Sequence, residues 1–340
     1  MTKRERVTAA VRFTTPDFTP HNLGLTQQAQ DALTELTGDP HYVEKHANNH
    51  IFDAYYMGDP VETFPGSERF KDDFGVIWNK SGVDKDIGVI DNFVIPEPDV
   101  ALIDTIPLPD IGVLHKRYAT LKDCKDDRFR IAEIGFSVFE RAWTLCGMEN
   151  LLIYMVTEPE FVEKLFEKIL GINMRIMDVA LRYEADGFHF GDDWGQQKGL
   201  IMGPSHWRRF IKPVIAEMYA KAAKKGLIVS QHSCGDISEI MDELVDIGLN
   251  VYNTVQPEIY DLAELRDKYK GKLTFWGGIS TQRDLPYITP DAVYKLVHDT
   301  ARTMSREGGY IAAPTHAVPC DVPAENIVAM IEAFNDLGKV

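Results

Sequence analysis

The sequence predicts an α/β protein, a (β/α)8 TIM barrel with an N-terminal extension. From about residue 129 onward, short apolar runs that end in turn residues alternate with long amphipathic segments. This alternation is typical of right-handed βαβ units and a parallel sheet, and its recurrence favours a closed barrel. In addition, no Gly-x-Gly-x-x-Gly motif follows a strand near the start, which disfavours an open dinucleotide-binding sheet.

The apolar runs have the length of strands and are too short for ordinary helices. In such a barrel the catalytic groups lie just after the strands, so the residues that follow these runs are the first candidates for a functional site. The runs are Phe129–Ile134, Gly187–Phe190, Leu227–Ser230, Val251–Val255, Leu273–Trp276 and Tyr310–Ala313.

Amphipathic segments between the runs predict helices. One covers Glu160–Leu170, and another covers Arg208–Lys225 and ends at Gly226 after two lysines, as helix C-termini prefer. A third helix is predicted over Thr26–Thr37, where Gly38 stops it. These segments would cover the outside of the predicted barrel.

The first third of the chain is rich in Pro, Gly and Asp and has few periodic segments. We therefore interpret residues 1–340 as a single domain, in which residues 1–110 form an N-terminal extension with the first elements and residues 111–340 form the main barrel. No low-complexity tract or short repeat is present, which argues against a solenoid.

Composition excludes several classes of function. The formal net charge is −16, and so acidic a chain repels nucleic acid and anionic membranes. No apolar stretch reaches the roughly 18 residues of a transmembrane helix, and the charged N-terminus does not resemble a secretory signal. The 4 cysteines are too few for a disulfide framework, so we expect a cytoplasmic protein with reduced thiols.

The sharpest local motif is Gln231-His232-Ser233-Cys234-Gly235. His232 and Cys234 are two residues apart on a chain leaving a strand, so both side chains point the same way. Imidazole nitrogen and thiolate sulfur are preferred zinc ligands, although a buried cysteine beside a hydrogen-bonded histidine has the same sequence. A third ligand would come from another strand end, where His316 and Cys320 both qualify.

A second polar loop, Asp192-Asp193-Trp194-Gly195-Gln196-Gln197, follows another predicted strand. Two carboxylates, an indole and amides on one loop indicate a pocket wall, with a solvated turn as the alternative. Asp193, Glu140 and His316 are candidate acid/base groups, although Glu140 equally suits a surface helix. Candidates for substrate binding are Asp192, Trp194, Gln196, Gln256, Trp276 and Gln282.

Four motifs together resemble the uroporphyrinogen decarboxylase superfamily, and specifically its cobalamin-dependent (corrinoid) methyltransferase branch. They are Gly191-Asp192-Asp193-Trp194-Gly195-Gln196, His232-Ser233-Cys234-Gly235, Gly277-Gly278-Ile279-Ser280-Thr281-Gln282 and Pro323-Ala324-Glu325-Asn326-Ile327. The resemblance extends over nearly the whole chain and implies a (β/α)8 barrel.

This sequence departs from the decarboxylases themselves. Their arginine-rich N-terminal segment, which grips the substrate's carboxylates, is missing, and no arginine occurs between Arg12 and Arg69. Recognition of eight carboxylates needs charge-assisted donors, preferably arginine. We therefore do not expect porphyrinogen decarboxylation.

The methyltransferase branch binds zinc through His-x-Cys and a later Cys, and its third ligand lies seven residues before the Pro of the last motif. That position is His316 here, whereas Cys320 lies four residues later, so both candidates for the third ligand stay open. The resemblance implies Zn²⁺, a corrinoid carried by a partner protein, and a homodimer.

The expected function is transfer of a methyl group from an aromatic methyl ether to a corrinoid protein. If His316 completes a zinc site with a single cysteine, the more positive metal favours activation of an ether. The alternatives are methyl transfer from a methyl-corrinoid to a thiol, a metal-free decarboxylase or lyase acting on a small acid, and a binding module without catalysis.

Overall fold

The computed structural model describes residues 1–82 and 88–338, and its strands form one large sheet and two small ones. In chain order the strands are β1 Ile51–Tyr56, β2 Pro60–Thr63, β3 Arg69–Asp72, β4 Ile77–Asn79, β5 Val89–Ile90, β6 Phe129–Ile134, β7 Gly187–Gly191, β8 Gly195–Gln196, β9 Gly199–Leu200, β10 Ile228–His232, β11 Val251–Val255, β12 Thr274–Ile279 and β13 Tyr310–Pro314.

Helices fill most of the segments between the strands of the large sheet. They are α1 Lys3–Val11, α2 Gln27–Thr37, α3 Tyr42–His46, α4 Val100–Ile103, α5 Ile111–Ala119, α6 Phe139–Cys146, α7 Met148–Thr157, α8 Pro159–Ala180, α9 Gly203–His206, α10 Lys212–Lys224, α11 Met241–Asp246, α12 Leu262–Tyr269, α13 Pro290–Met304 and α14 Ala324–Asn335, with a 3₁₀ turn at Thr120–Asp123 and a π-helical turn at Trp207–Ile211.

The large sheet has seven parallel strands in the order β1-β6-β7-β10-β11-β12-β13. Every predicted apolar run is one of these strands, which confirms the α/β class. The strand missing from the prediction is β1, because it lies in the Pro- and Gly-rich first third of the chain.

The described residues contain seven parallel strands where the sequence predicts eight. The gap between the outer strands is bridged instead by residues 20–22. The amide of Asn22 donates to the carbonyl of Ala312 in β13, and the amide of His50, which precedes β1, donates to the carbonyl of His21. Because one short segment bonds to both edges, the sheet is curled upon itself.

Apolar side chains form a separate buried cluster inside the curled sheet. One buried cluster contains Val7 of α1 and side chains from strands that are not all neighbours in the sheet. These strand residues include Ile51, Phe129, Val251 and Ile311. Strand side chains alternate between the two faces, so these contacts identify which residues point inward. The outer face packs against helices in a second, larger core.

The predicted helix over Thr26–Thr37 is α2, for which Thr26 supplies the N-cap and Gly38 the left-handed C-cap. The helix predicted over Glu160–Leu170 is α8, which is longer than expected. The segment predicted over Arg208–Lys225 comprises the π-helical turn and α10. Within the described ranges, no helix is long and apolar enough to cross a membrane.

Candidate metal centre

Three side chains of types that can bind a metal ion meet at the carboxyl ends of two strands. His232 ends β10, Cys234 follows it, and His316 lies two residues after β13. One ligand atom of each residue lies within 4.8 Å of the other two. We call these three residues the donor cluster. Nitrogen and sulfur donors suit zinc, and three protein ligands leave a position open for a substrate, so the donor cluster fits a catalytic zinc ion.

Asp193 supports two members of the donor cluster. Its Oδ1 accepts a hydrogen bond of 2.8 Å from the backbone amide of Cys234 and lies 3.4 Å from Nε2 of His232. The same Nε2 lies 3.4 Å from Sγ of Cys234. Burial, and then the charge of Asp193, raise the pKa of the Cys234 thiol. A thiolate therefore needs a neighbouring cation here, as a bound metal ion would provide.

The loop that carries Cys234 packs closely against the loop after β7. Gly235 has a φ of +79°, and a Cβ on it would lie 2.2 Å from the carbonyl carbon of Gly195. Gln256, predicted to bind substrate, is buried, and its Oε1 accepts a hydrogen bond of 2.7 Å from the amide of Gly235. Glycine is thus required at 235, and Gln256 holds this loop in place.

The structure brings His316, and not Cys320, to the His232–Cys234 pair. The imidazole rings of His232 and His316 are 5.9 Å apart, centroid to centroid, and meet edge to face. Cys320 is exposed and is not a member of the donor cluster. The geometry therefore favours His316 as the third ligand, while metal binding itself stays a prediction.

Asp192 and Trp194 lie fully buried beneath the loop. The carboxylate of Asp192 accepts hydrogen bonds from the amide of Phe139 at 2.9 Å, the amide of Glu140 at 2.8 Å and the indole Nε1 of Trp194 at 2.5 Å. Burial raises the pKa of Asp192 to about 6, although these donors oppose the shift. Asp192 therefore ties the start of α6 to the loop, and neither side chain offers exposed surface to a substrate.

The other predicted site residues are spread more widely. Glu140 is half-buried near Asp193, and its pKa is raised well above the usual range, first by burial and then by Asp193. Trp276 is half-buried, with its ring 5.4 Å from that of His189. The two remaining residues, Gln196 and Gln282, are exposed.

Sequence reasoning missed a set of polar residues inside the curled sheet. Glu133 of β6 pairs in register with His189 of β7, whose Nδ1 lies 2.8 Å from Oγ of Ser230 in β10. Burial, and then nearby Asp53, raise the pKa of Glu133 to about 8. Strand alternation was the available signal, since Glu133 stands two residues after the inward-facing Ile131.

A curled parallel sheet with polar histidine, cysteine and carboxylate residues at the carboxyl ends of its strands defines the class of barrel-type α/β proteins with their active site at that face. Within this class the chain belongs to the uroporphyrinogen decarboxylase (URO-D) family, whose model matches residues 82–337. A search of curated protein sequences finds no match.

A solved structure supports the same fold. The chain is similar to a methyltransferase from Methanosarcina mazei, at 14% identity and a TM-score of 0.71, with 99% of both chains covered. A weaker similarity links it to 2,3-dimethylmalate lyase, a member of the PEP mutase/isocitrate lyase superfamily. That match has 12% identity and a TM-score of 0.41, with 100% of this chain and 85% of the other covered. Only the first similarity bears on the fold.

Proposed function

We propose that this protein is a zinc-dependent methyltransferase of a corrinoid system. In this proposal it moves a methyl group from an aromatic methyl ether to a corrinoid carried by a partner protein. The observation that carries the proposal is the donor cluster, which assembles two imidazoles and one thiol at the face where barrel enzymes place their active sites. The fold shared with a methyltransferase from Methanosarcina mazei supports the same reading.

The make-up of the donor cluster favours an ether as the methyl donor. With one thiolate and two neutral imidazoles, a bound zinc ion keeps much of its positive charge and polarises an ether oxygen as a Lewis acid. A zinc ion with more thiolate ligands would suit activation of a thiol instead. The single cysteine thus argues for removal of a methyl group from oxygen.

The chain's own residues supply the remaining functions. Asp193 holds the backbone of Cys234 and faces His232, so it orients the donor cluster. Glu140 lies beside Asp193 as a carboxyl group whose pKa is raised, first by burial and then by the charge of Asp193. The half-buried ring of Trp276 offers a face on which an aromatic substrate can pack.

The reaction that gives the family its name does not fit this interior. A substrate with many carboxylates needs several cationic partners. The only Lys or Arg in the seven parallel strands is Arg130, and its guanidinium bonds to Glu184, which is almost fully exposed. The inward faces of these strands therefore offer such a substrate no Lys or Arg.

The test measures zinc content and methyl transfer on the same preparations. We expect about one zinc per chain, lost in His232→Ala and Cys234→Ser. The zinc-loaded protein should transfer methyl groups from aryl methyl ethers to cob(I)alamin, and the two variants should not. A wild-type protein that neither contains nor takes up zinc would overturn the zinc mechanism and favour acid/base chemistry at Asp193 and His316. Zinc binding with methyl transfer only from methylcobalamin to a thiol would reverse the direction proposed.

A further inference from the structure

Glu133 is a carboxylic acid inside the curled sheet, one layer beneath the donor cluster. It pairs in register with Tyr55 on one side and with His189 on the other. His189 in turn pairs with Ser230, and His232 stands two residues further along the same strand. Inward-facing residues of adjacent parallel strands form layers, so Glu133 occupies the layer just below His232.

The carboxyl group of Glu133 is available to a ligand. Its Oε1 lies 3.9 Å from Nε2 of His189, which is longer than a hydrogen bond. Its side chain is 19% exposed, so it borders space that solvent reaches instead of packed core. Unlike its side chain, the backbone of Glu133 has a fixed partner, because the hydroxyl of Tyr118 donates a hydrogen bond of 2.9 Å to its carbonyl.

The groups that face Glu133 keep it protonated at neutral pH. Burial is the largest influence, Asp53 of β1 adds to it, and His232 opposes it, with the result that the pKa of Glu133 is about 8. Burial, followed by the charge of His232, lowers the pKa of His189 to about 3, so this neighbour is a neutral imidazole. Two tyrosines are further titratable neighbours, Tyr55 on β1 and Tyr118 on α5. Glu133 is thus an uncharged proton donor.

The other acidic groups near the donor cluster are engaged elsewhere. Asp193 accepts a hydrogen bond from the backbone of Cys234. Glu140 lies against Asp193 and Asp192, whose charges act on it. Glu133 alone combines an inward position, a neutral imidazole neighbour and access to solvent.

We propose that Glu133 is the acid that protonates the leaving oxygen when a methyl ether loses its methyl group. This inference rests on the proposed function, because only an ether substrate produces a leaving oxygen. The sequence offers Asp193, Glu140 and His316 as acid/base groups, so the proposal places this role instead on a residue of β6.

The oxygen–methyl bond breaks, and its electron pair stays on the oxygen. The methyl group bonds to the cobalt of the corrinoid, which supplies the electron pair and formally passes from Co(I) to Co(III). The oxygen then takes the proton of Glu133 and departs as a phenol. The carboxylate of Glu133 regains a proton from solvent, which completes the cycle.

The experiment compares zinc-loaded wild-type protein with Glu133→Gln and Glu133→Asp, using free cob(I)alamin as the acceptor. Ring-substituted methyl phenyl ethers serve as donors, from 4-nitroanisole, whose phenolate leaves easily, to 4-methylanisole, whose phenolate needs a proton. We expect Glu133→Gln to lose about 100-fold in rate with 4-methylanisole and little with 4-nitroanisole. Glu133→Asp keeps a carboxyl group and should retain part of the rate that Glu133→Gln loses with 4-methylanisole. The control is Glu184→Gln, an exposed carboxylate that pairs with Arg130, and it should behave as wild type.

The pH profile provides a second readout. The wild-type rate with 4-methylanisole should fall as the pH rises through the pKa of Glu133, which burial raises, and Glu133→Gln should lack this decline. Equal rates in wild type and Glu133→Gln across all ethers and pH values would overturn the role of Glu133 and leave the proposed function standing. A wild-type protein that loads zinc and demethylates none of the ethers would overturn both.

Discussion

Nδ1 of His232 lies 2.5 Å from Oδ1 of Asn253, its partner in the parallel pairing of β10 and β11. The amide nitrogen of Asn253 donates to the carbonyl of Trp276 at 3.2 Å, which fixes the amide's orientation. The side-chain oxygen of Asn253 can only accept a hydrogen bond, so Nδ1 of His232 carries the proton and Nε2 is the nitrogen left for a metal. Such partners orient metal-binding histidines in many proteins.

We predict from this contact that Asn253→Ala weakens zinc binding by about 10- to 100-fold, because the imidazole loses its fixed orientation. Asn253→Asp keeps an acceptor and should retain most of the affinity. Competition with a chromophoric chelator measures the zinc affinity of both variants. Asn150→Ala is the control, since Asn150 bonds to the backbone of Cys146 in another part of the fold. Equal affinities in Asn253→Ala and Asn150→Ala would contradict the assignment.

The choice between two candidate third ligands gives a second prediction. His316→Ala should lower zinc affinity more than Asn253→Ala does, because it removes a ligand and not merely a ligand's support. Cys320→Ser should bind zinc as wild type does, since Cys320 lies outside the donor cluster. Zinc lost in Cys320→Ser but kept in His316→Ala would assign the third ligand to Cys320.

Backbone contact between two loops gives a third prediction. Gly235→Ala should displace Cys234, because its new methyl group would overlap the backbone of Gly195. Gly226→Ala is the matched control: Gly226 has a φ of +78°, close to the +79° of Gly235, but no atom lies within 4 Å of its added Cβ. We expect Gly226→Ala to cost about 1 kcal/mol of stability and keep its zinc, and Gly235→Ala to lose zinc as well. Matching losses of stability and zinc in both variants would show that the loop contact is unimportant.

The pKa of Glu133 gives a prediction about stability against pH. Its folded-state pKa of about 8 lies above the ordinary value of 4.5, so the folded protein holds this proton more tightly than the unfolded chain. The free energy of unfolding should therefore fall as the pH rises from about 4.5 to about 8. Glu133→Gln cannot ionise and should be more stable than wild type by about 3 kcal/mol at pH 7, with little difference at pH 4. Urea unfolding at a series of pH values measures this difference, and a difference independent of pH would refute the shifted pKa.

The sequence by itself determined the α/β class, the strands from β6 to β13 in the large sheet and the His232–Cys234 pair. Each of these depends on residues close together in the chain, where side-chain period and motif spacing carry the information. It also identified Gly38 and Gly226 as helix ends for the same reason.

Tertiary structure decided the rest. The placement of His316, and not Cys320, beside the His232–Cys234 pair depends on how the chain turns after β13, and the sequence alone does not distinguish the two residues. The burial of Asp192 depends on α6 packing against it, although the sequence presents it as one more loop carboxylate. The inward position of Glu133 depends on the direction in which the sheet curls. These outcomes come from contacts between residues distant in sequence, which no local pattern specifies.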